Sequence, residues 1–189
     1  MKMLLLSVAV VELACVITAA EVHAQEAATA GVTPLQPPEA VTFLPGGTNS
    51  PISAAVAVPA GKALLYTSGT VPPVLDEKEP AGSRERYGDT KTQGIGALRQ
   101  IEAQLKKAGL SLRDVVYLRV YLTADKAKEG RFDYPGWFEA YGQFFGNAEN
   151  PVKPARSTVG VASLVNPDWL IEIEAVAAYP DLATAIVPK

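Results

Sequence analysis

An α+β domain, with two helices covering one face of a mixed sheet of about four to six strands, is the fold class this sequence predicts. Three observations predict it. Two segments carry apolar residues at helical spacing, residues 115–122 alternate between apolar and amphipathic side chains, and the elements run strand, strand, helix, strand, helix, strand, strand. At 189 residues the chain is long enough to bury one full core.

Residues 25–50 are rich in Ala, Pro, Gly and Thr without periodicity, which reads as a linker and entry loop. The folded body then runs from about Val41 to Tyr179. "ISAAVAV" (52–58) and "ALLYTSG" (63–69), separated by "PAGK", read as a hairpin, and the proline-broken polar stretch 70–89 as a loop. Asp89 or Thr90 caps a helix whose apolar positions are Ile95, Leu98, Ile101 and Leu105. Lys106 and Lys107 suit its last turn, and Gly109 its stop. Gly94 and Gly96 weaken a helix interior by about 1 kcal/mol each, which points to close approach of a neighbour.

In "VVYLRVYL" (115–122), Val116, Leu118, Val120 and Leu122 form one dry face, and Tyr117, Arg119 and Tyr121 the other. A second helix is expected from Tyr134 to Phe145, capped by Asp133, with Pro135 in the first turn. Its stripe of Trp137, Phe138, Tyr141, Phe144 and Phe145 has the spacing of core packing against a sheet. Strands at 157–164 and 170–179 close the domain, joined through the turn sequence "VNPD". The sheet face away from the helices is too apolar and aromatic to be left in water, so a homo-oligomer is expected.

Net charge is −3 and the isoelectric point is near 5.3. There is no basic field to attract nucleic acid or anionic membrane. The first 24 residues read as a signal peptide: Lys2, an apolar core beginning "LLLSVAVV", and small residues in "VHA" before Gln25. Leu4–Ala20 is short for a membrane span and is interrupted by Glu12, so cleavage after Ala24 is favoured over an uncleaved anchor. Cys15 resembles a lipid-attachment cysteine only weakly, because Glu12 stands where an aliphatic residue is needed. The predicted address is periplasmic or secreted, with no stable membrane association after cleavage. Cleavage removes the single cysteine, Cys15, and the single histidine, His23. A mature chain without either cannot build a serine–histidine triad, a disulfide or an ordinary zinc site. Acid–base chemistry then falls to Asp, Glu, Lys, Tyr or water.

Charges inside apolar strands draw attention in "PARSTVGVASLVNPDWLIEIEA" (154–175). Glu172 and Glu174 lie two apart, on the face opposite Ile171 and Ile173. A solvated edge strand explains them equally well until Arg156 is added. Arg156 begins a strand behind Pro154 and carries a planar donor fork that suits a carboxylate and does not lose its proton. If the two closing strands pair as a hairpin, Arg156 falls near the far end of its partner, past Glu172. An arginine gripping a carboxylate beside a glutamate that manages a water is a chemically coherent pair.

"TSGTVP" (67–72), "ALRQIEAQLKKAGLSLRDVVYLRVYLTAD" (97–125), "YGQFF" (141–145), "PARSTV" (154–159) and "IEIEAVA" (171–177) resemble, in order and spacing, the Rid family of RidA-like reactive intermediate deaminases. The resemblance sets a RidA-like domain at 45–181, after the signal peptide (1–24) and linker (25–44) read above and before a tail (182–189). It implies a chorismate-mutase-like fold and a homotrimeric barrel with helices outside, with active sites in clefts between subunits and no cofactor or metal. It implies hydrolysis of imines and enamines to 2-oxo acid and ammonia. Arg156 would bind the substrate carboxylate and Glu172 would position the attacking water. Ser68 and Gly69 would line the pocket. Ile52 stands where the family pattern has tyrosine, Phe138 where it has asparagine, and Thr158 where cysteine is frequent. Neither Ile52 nor Phe138 can supply the side-chain hydrogen bonds of the residues replaced, so a more apolar pocket and a shifted substrate preference are expected. The same two positions favour the alternative, a non-catalytic binder of small carboxylates. An endoribonuclease, as some family members are described, ranks below both on acidity and lack of histidine, and a pure scaffold would leave Arg156 and Glu172 unexplained.

Overall fold

The computed structural model describes residues 37–180. The segment read as a signal peptide, with Cys15 and His23, the first part of the linker and the tail beyond Pro180 lie outside the described residues. In chain order the elements are β1 (Thr42–Pro45), β2 (Ser53–Ala57), β3 (Leu64–Tyr66), α1 (Arg84–Tyr87) and α2 (Thr90–Lys107), followed by β4 (Val115–Leu122), β5 (Ala124–Asp125), β6 (Arg131–Phe132), α3 (Tyr134–Gly142), β7 (Ala155–Gly160) and β8 (Ile171–Ala178).

β4 is the strand around which the sheet is built. The four-stranded sheet has the order β3-β8-β4-β7, with β8 antiparallel and β7 parallel to β4. A parallel neighbour needs a long crossover, and the connection that contains α3 supplies it. Alternation along β4 sends Leu118, Val120 and Leu122 under the helices, where they are fully buried with Ile171 and Ile173 of β8. Ala97, Leu98, Ile101 and Leu105 of α2 and Trp137, Ala140 and Tyr141 of α3 close that core. Burying a side chain of leucine or isoleucine size contributes roughly 1.5–3 kcal/mol, so this layer is the main source of stability.

The ends of α2 follow from its sequence. The Asp89 carboxylate accepts from the Thr92 N–H at 2.8 Å. At the other end Gly109 takes φ +75°, which lets the Leu110 N–H reach the Leu105 carbonyl at 2.9 Å. A Cβ on Gly94 would stand 3.2 Å from the Ala140 Cβ, and one on Gly96 would stand 2.7 Å from Pro73. Both glycines therefore serve close packing, as expected. α3 is capped by Asp133, which accepts from Gly136 N–H at 3.1 Å. It stops at Gly142 rather than Phe145, because Asn147 and Asn150 side chains take over the carbonyls of Gly142 and Phe144 at 3.0 and 2.8 Å.

Two expected hairpins are not formed. β2 pairs with β1, a strand hidden in the segment read as entry loop, and β3 pairs with β8. The turn at 59–62 does form, with Lys62 N–H on the Pro59 carbonyl at 3.3 Å, but the strands it joins diverge. β7 and β8 likewise do not pair with each other. Each flanks β4, and the connection between them crosses the end of that strand. Val161 N–H donates to the Leu122 carbonyl at 2.8 Å and Thr123 N–H to the Leu170 carbonyl at 3.0 Å. The turn residues act locally, with Asn166 accepting from Asp168 N–H at 2.9 Å. The polar stretch before α2 is held down at α1, where Arg84 pairs both nitrogens with the buried Asp125 carboxylate at 2.7 and 3.0 Å.

Candidate active site

Arg156 enters on β7, an edge strand of the sheet, directly after Pro154 and Ala155. Its register partner is Leu118, so its side chain leaves the sheet on the helix-covered face. There the guanidinium meets α3. Its Cζ lies 4.3 Å from the centroid of the Tyr141 ring, 5.0 Å from that of Phe138 and 5.6 Å from that of Trp137. Nη1 is buried and has no hydrogen-bond partner. Burial pushes the guanidinium down from its ordinary pKa, and no carboxylate is among the groups that offset this. Two residues on, the buried Thr158 Oγ1 is also without a partner. Thr158 pairs with Val120 and so shares the face of Arg156. Leaving a buried polar atom unpaired costs about 1–3 kcal/mol, and two such atoms on one face of β7, two residues apart, mark a place where an anion or hydrogen-bonding ligand would be welcome.

Ile52 belongs to this half of the site. It packs against the core just ahead of β2. The Tyr141 hydroxyl donates to the carbonyl of the preceding residue, Pro51, at 3.0 Å. Ser53 in turn donates its hydroxyl to the Lys153 carbonyl at 2.6 Å, which seats β2 beside the entry to β7. Phe138 stands at the rim, 47% exposed.

Glu172 is placed differently. It pairs with Tyr121, whereas Ile173 pairs with Val120, so Glu172 projects from the open face of the sheet. After β3 the chain stays alongside β8. Thr67 N–H donates to the Ala175 carbonyl at 2.9 Å, and Thr70 and Ile173 exchange both backbone bonds at 2.8 and 3.0 Å. Ser68 and Gly69 bulge between these contacts. A Cβ built on Gly69 would land on the Glu172 carboxylate. Only glycine leaves that space, so Gly69 sets where the carboxylate can lie. Glu174 shares the open face but is neutralised by Arg119 at 2.9 Å, which separates the two glutamates chemically.

The seven residues singled out in the sequence thus fall into two groups. Arg156, Thr158, Phe138 and Ile52 gather on the helix side, and Glu172, Gly69 and Ser68 on the open side. The β7–β8 hairpin considered for Arg156 and Glu172 does not form, because β4 lies between their strands. Trp137 and Tyr141 were read only as core. They are core, but with Phe138 they also form the bed of Arg156. The signal available was an aromatic helix stripe followed by a lone arginine in an apolar strand.

A cleft of about 360 Å³ elsewhere, lined in part by Arg84, Gln93, Asp125 and Asp168, touches none of the seven. Arg84 there is occupied by Asp125, and the Gln93 amide by the Gly88 and Asp168 carbonyls and the Leu170 N–H. Among the described residues no cluster of three or more His, Cys, Asp or Glu side chains could hold a metal ion, and no helix is long and apolar enough to cross a membrane.

Residues 48–179 match the family described as Endoribonuclease L-PSP. The chain belongs to this family. It is 39% identical over 137 residues to the 3-aminoacrylate deaminase RutC of Acinetobacter baylyi, covering 71% of this chain and 94% of that protein. A RutC family protein of Pyrococcus horikoshii is 36% identical over 121 residues, 64% of this chain and 82% of that one. Among solved structures, a Rid family protein of unknown function from Yersinia pestis aligns with a TM-score of 0.54 at 26% identity. The alignment covers 73% of this chain and 97% of that chain. The Rid resemblance read from the sequence motifs is therefore correct, and the mixed α+β fold agrees with it.

Proposed function

We propose that this protein is a hydrolytic deaminase of small imines and enamines that carry a carboxylate. The observation that carries the reading is the unneutralised Arg156 guanidinium on its aromatic bed, with Nη1 and the nearby Thr158 Oγ1 both buried and unpartnered. An anionic ligand satisfies both. The similarity to a 3-aminoacrylate deaminase supports a substrate that joins a carboxylate to an enamine nitrogen.

Arg156 holds the carboxylate by charge-assisted hydrogen bonds, and Thr158 contributes its hydroxyl. An enamine first takes a proton on its β-carbon and gives one up from nitrogen to become the imine. Glu172 then orients a water toward the imine carbon and accepts a proton as the water adds across the C=N bond. The resulting amino alcohol expels ammonia when the nitrogen is protonated, leaving the C=O of the 2-oxo acid. One water enters and one ammonia leaves. Phe138 and Ile52 make the wall around the reacting carbon apolar, which favours substrates with hydrocarbon side chains over those needing polar contacts.

Because Arg156 and Glu172 project from opposite sheet faces, we place the complete site between protomers, Arg156 from one and Glu172 from the next. A homotrimeric barrel satisfies this arrangement. The open sheet face supports it: Tyr66 is 70% exposed there, beside Tyr117, Tyr121, Val159 and Val176, an apolar surface suited to burial against copies of itself. We also place the mature protein outside the cytoplasm, on the export segment read from the first 24 residues; N-terminal sequencing of the secreted or periplasmic form tests this.

The experiment for the reaction generates imines in situ with an amino-acid oxidase and follows 2-oxo acid release. The protein accelerates release, and Arg156→Ala abolishes the acceleration. Equal rates for wild type and Arg156→Ala remove the assigned role of Arg156. Saturable 2-oxo acid binding with no acceleration of any imine selects the non-catalytic binder instead.

A further inference from the structure

Three rings touch the Arg156 guanidinium, but they are not equivalent. Phe138, at 5.0 Å, is half exposed at the rim. Trp137, at 5.6 Å, is the most distant of the three. Tyr141 is the nearest at 4.3 Å and is immobilised on every side. It stacks on Phe145 with ring centroids 5.2 Å apart and an interplanar angle of 21°. It meets Trp137 edge-on at 5.8 Å. Its hydroxyl donates to the Pro51 carbonyl at 3.0 Å. The phenol is held neutral, its pKa pushed up to about 12 by burial, so it remains a donor at every ordinary pH.

A guanidinium with no carboxylate partner would otherwise be free to change rotamer, and an unfixed donor fork binds a carboxylate with loss of entropy. A ring face held at three points fixes it before the ligand arrives. We propose that Tyr141 is the positioning residue of the carboxylate site, its ring face orienting Arg156 while its hydroxyl ties the segment bearing Ile52 to the same helix. The inference rests on the reading of Arg156 as the carboxylate holder, and it adds a residue that never contacts substrate. It also explains why an aromatic stripe that could have been any set of apolar core residues presents a ring face to β7.

The test compares an acid ligand with its uncharged amide, because a merely structural defect weakens both alike. Dissociation constants for 2-oxobutanoate and 2-oxobutanamide are measured by calorimetry on wild type, Tyr141→Phe, Tyr141→Leu and Arg156→Ala. Tyr141→Met, whose flexible side chain fills the gap, replaces Tyr141→Leu if that variant is not recovered folded. Tyr141→Phe keeps the ring, and its preference for acid over amide stays within about twofold of wild type. Tyr141→Leu or Tyr141→Met loses about tenfold of that preference, the size expected for a desolvated cation–ring contact. Unchanged preference in the aliphatic variants, with loss in Arg156→Ala, overturns the role of Tyr141 alone. An equal fall in Tyr141→Phe assigns the effect to the hydroxyl and overturns the ring claim. Unchanged preference in Arg156→Ala overturns the underlying carboxylate reading.

Discussion

Arg156 and Glu172 stand on the two strands that flank β4, paired with Leu118 and Tyr121, and they project from opposite faces of the sheet. Residues three apart on one strand point to opposite sides, so this separation is fixed by backbone geometry and not by rotamer choice. No side-chain rotation within one chain brings both groups to the same small molecule. A reaction that uses both needs a second copy of the chain.

The two glutamates of β8 differ in partner, and their substitution separates them. Glu172→Gln keeps shape and loses the proton acceptor, so deaminase activity falls by about 10²–10⁴ with little change in thermal midpoint. Glu174 is already bound by Arg119. Glu174→Gln therefore loses at most a surface ion pair, about 0–1 kcal/mol, and keeps activity within a few-fold. Rates and melting curves of the two variants, measured side by side, check this. Equal loss of activity in both contradicts the distinction.

Gly69→Ala acts on the same carboxylate from below. The added Cβ collides with the end of the Glu172 side chain, a flexible group that can swing away. The fold should survive with a stability change of about 1 kcal/mol or less, while the displaced carboxylate costs about a hundredfold in turnover. Retained turnover would show that the carboxylate's position does not matter.

Alkaline pH reports on Tyr141. Burial raises its folded-state pKa from 10.0 to about 12, so the stability it contributes is intact below pH 10 and is lost as pH rises through the folded value. Denaturation at a series of pH values should show wild type losing about 2–3 kcal/mol more than Tyr141→Phe over that window. Parallel curves for the two proteins would place Tyr141 in a wetter setting.

Acid pH reports on the α2 cap. Burial alone would raise the Asp89 pKa, but the bonds from Thr92 and the charges of Arg84 and Lys128 outweigh it and lower the value. Its contribution is present above the ordinary carboxylate value and disappears as pH falls through the depressed one. At neutral pH, Asp89→Ala should destabilise the protein by about 1 kcal/mol, and the difference should shrink in acid. A deficit that is independent of pH would mean that the carboxylate charge is not what caps the helix.

Local signals carried much of this fold, and tertiary pairing carried the rest. α2 was legible from Asp89 to Gly109 because its stripe, cap and stop all agree. β4 was legible because its alternation holds from Val116 to Leu122; the register shift between Val115 and Tyr117, which also buries Val115, was not. β1 was not, since four residues amid prolines and glycines hold too little pattern to distinguish strand from loop. The pairing of β7 with β4 was equally invisible: the turn at Asn166–Asp168 forms whether or not the strands beside it pair. The chemistry of Arg156, Thr158 and Glu172 could be read from charge and polarity set in apolar strands. Their division between two faces could not, because it depends on the register of each strand against β4. The same is true of Gly69, whose need for hydrogen in place of a side chain is visible only once Glu172 lies over it.

Subunit complementation tests the shared site most directly. Arg156→Ala and Glu172→Gln chains, each inactive alone, are co-expressed with different tags, and the mixed oligomers are isolated and their composition fixed by native mass spectrometry. A mixed ring of three, whichever chain is in the majority, holds one interface of three with both groups intact, so imine hydrolysis returns to about a third of the wild-type rate. Mixed oligomers no more active than either parent would contradict a site built from Arg156 of one protomer and Glu172 of another.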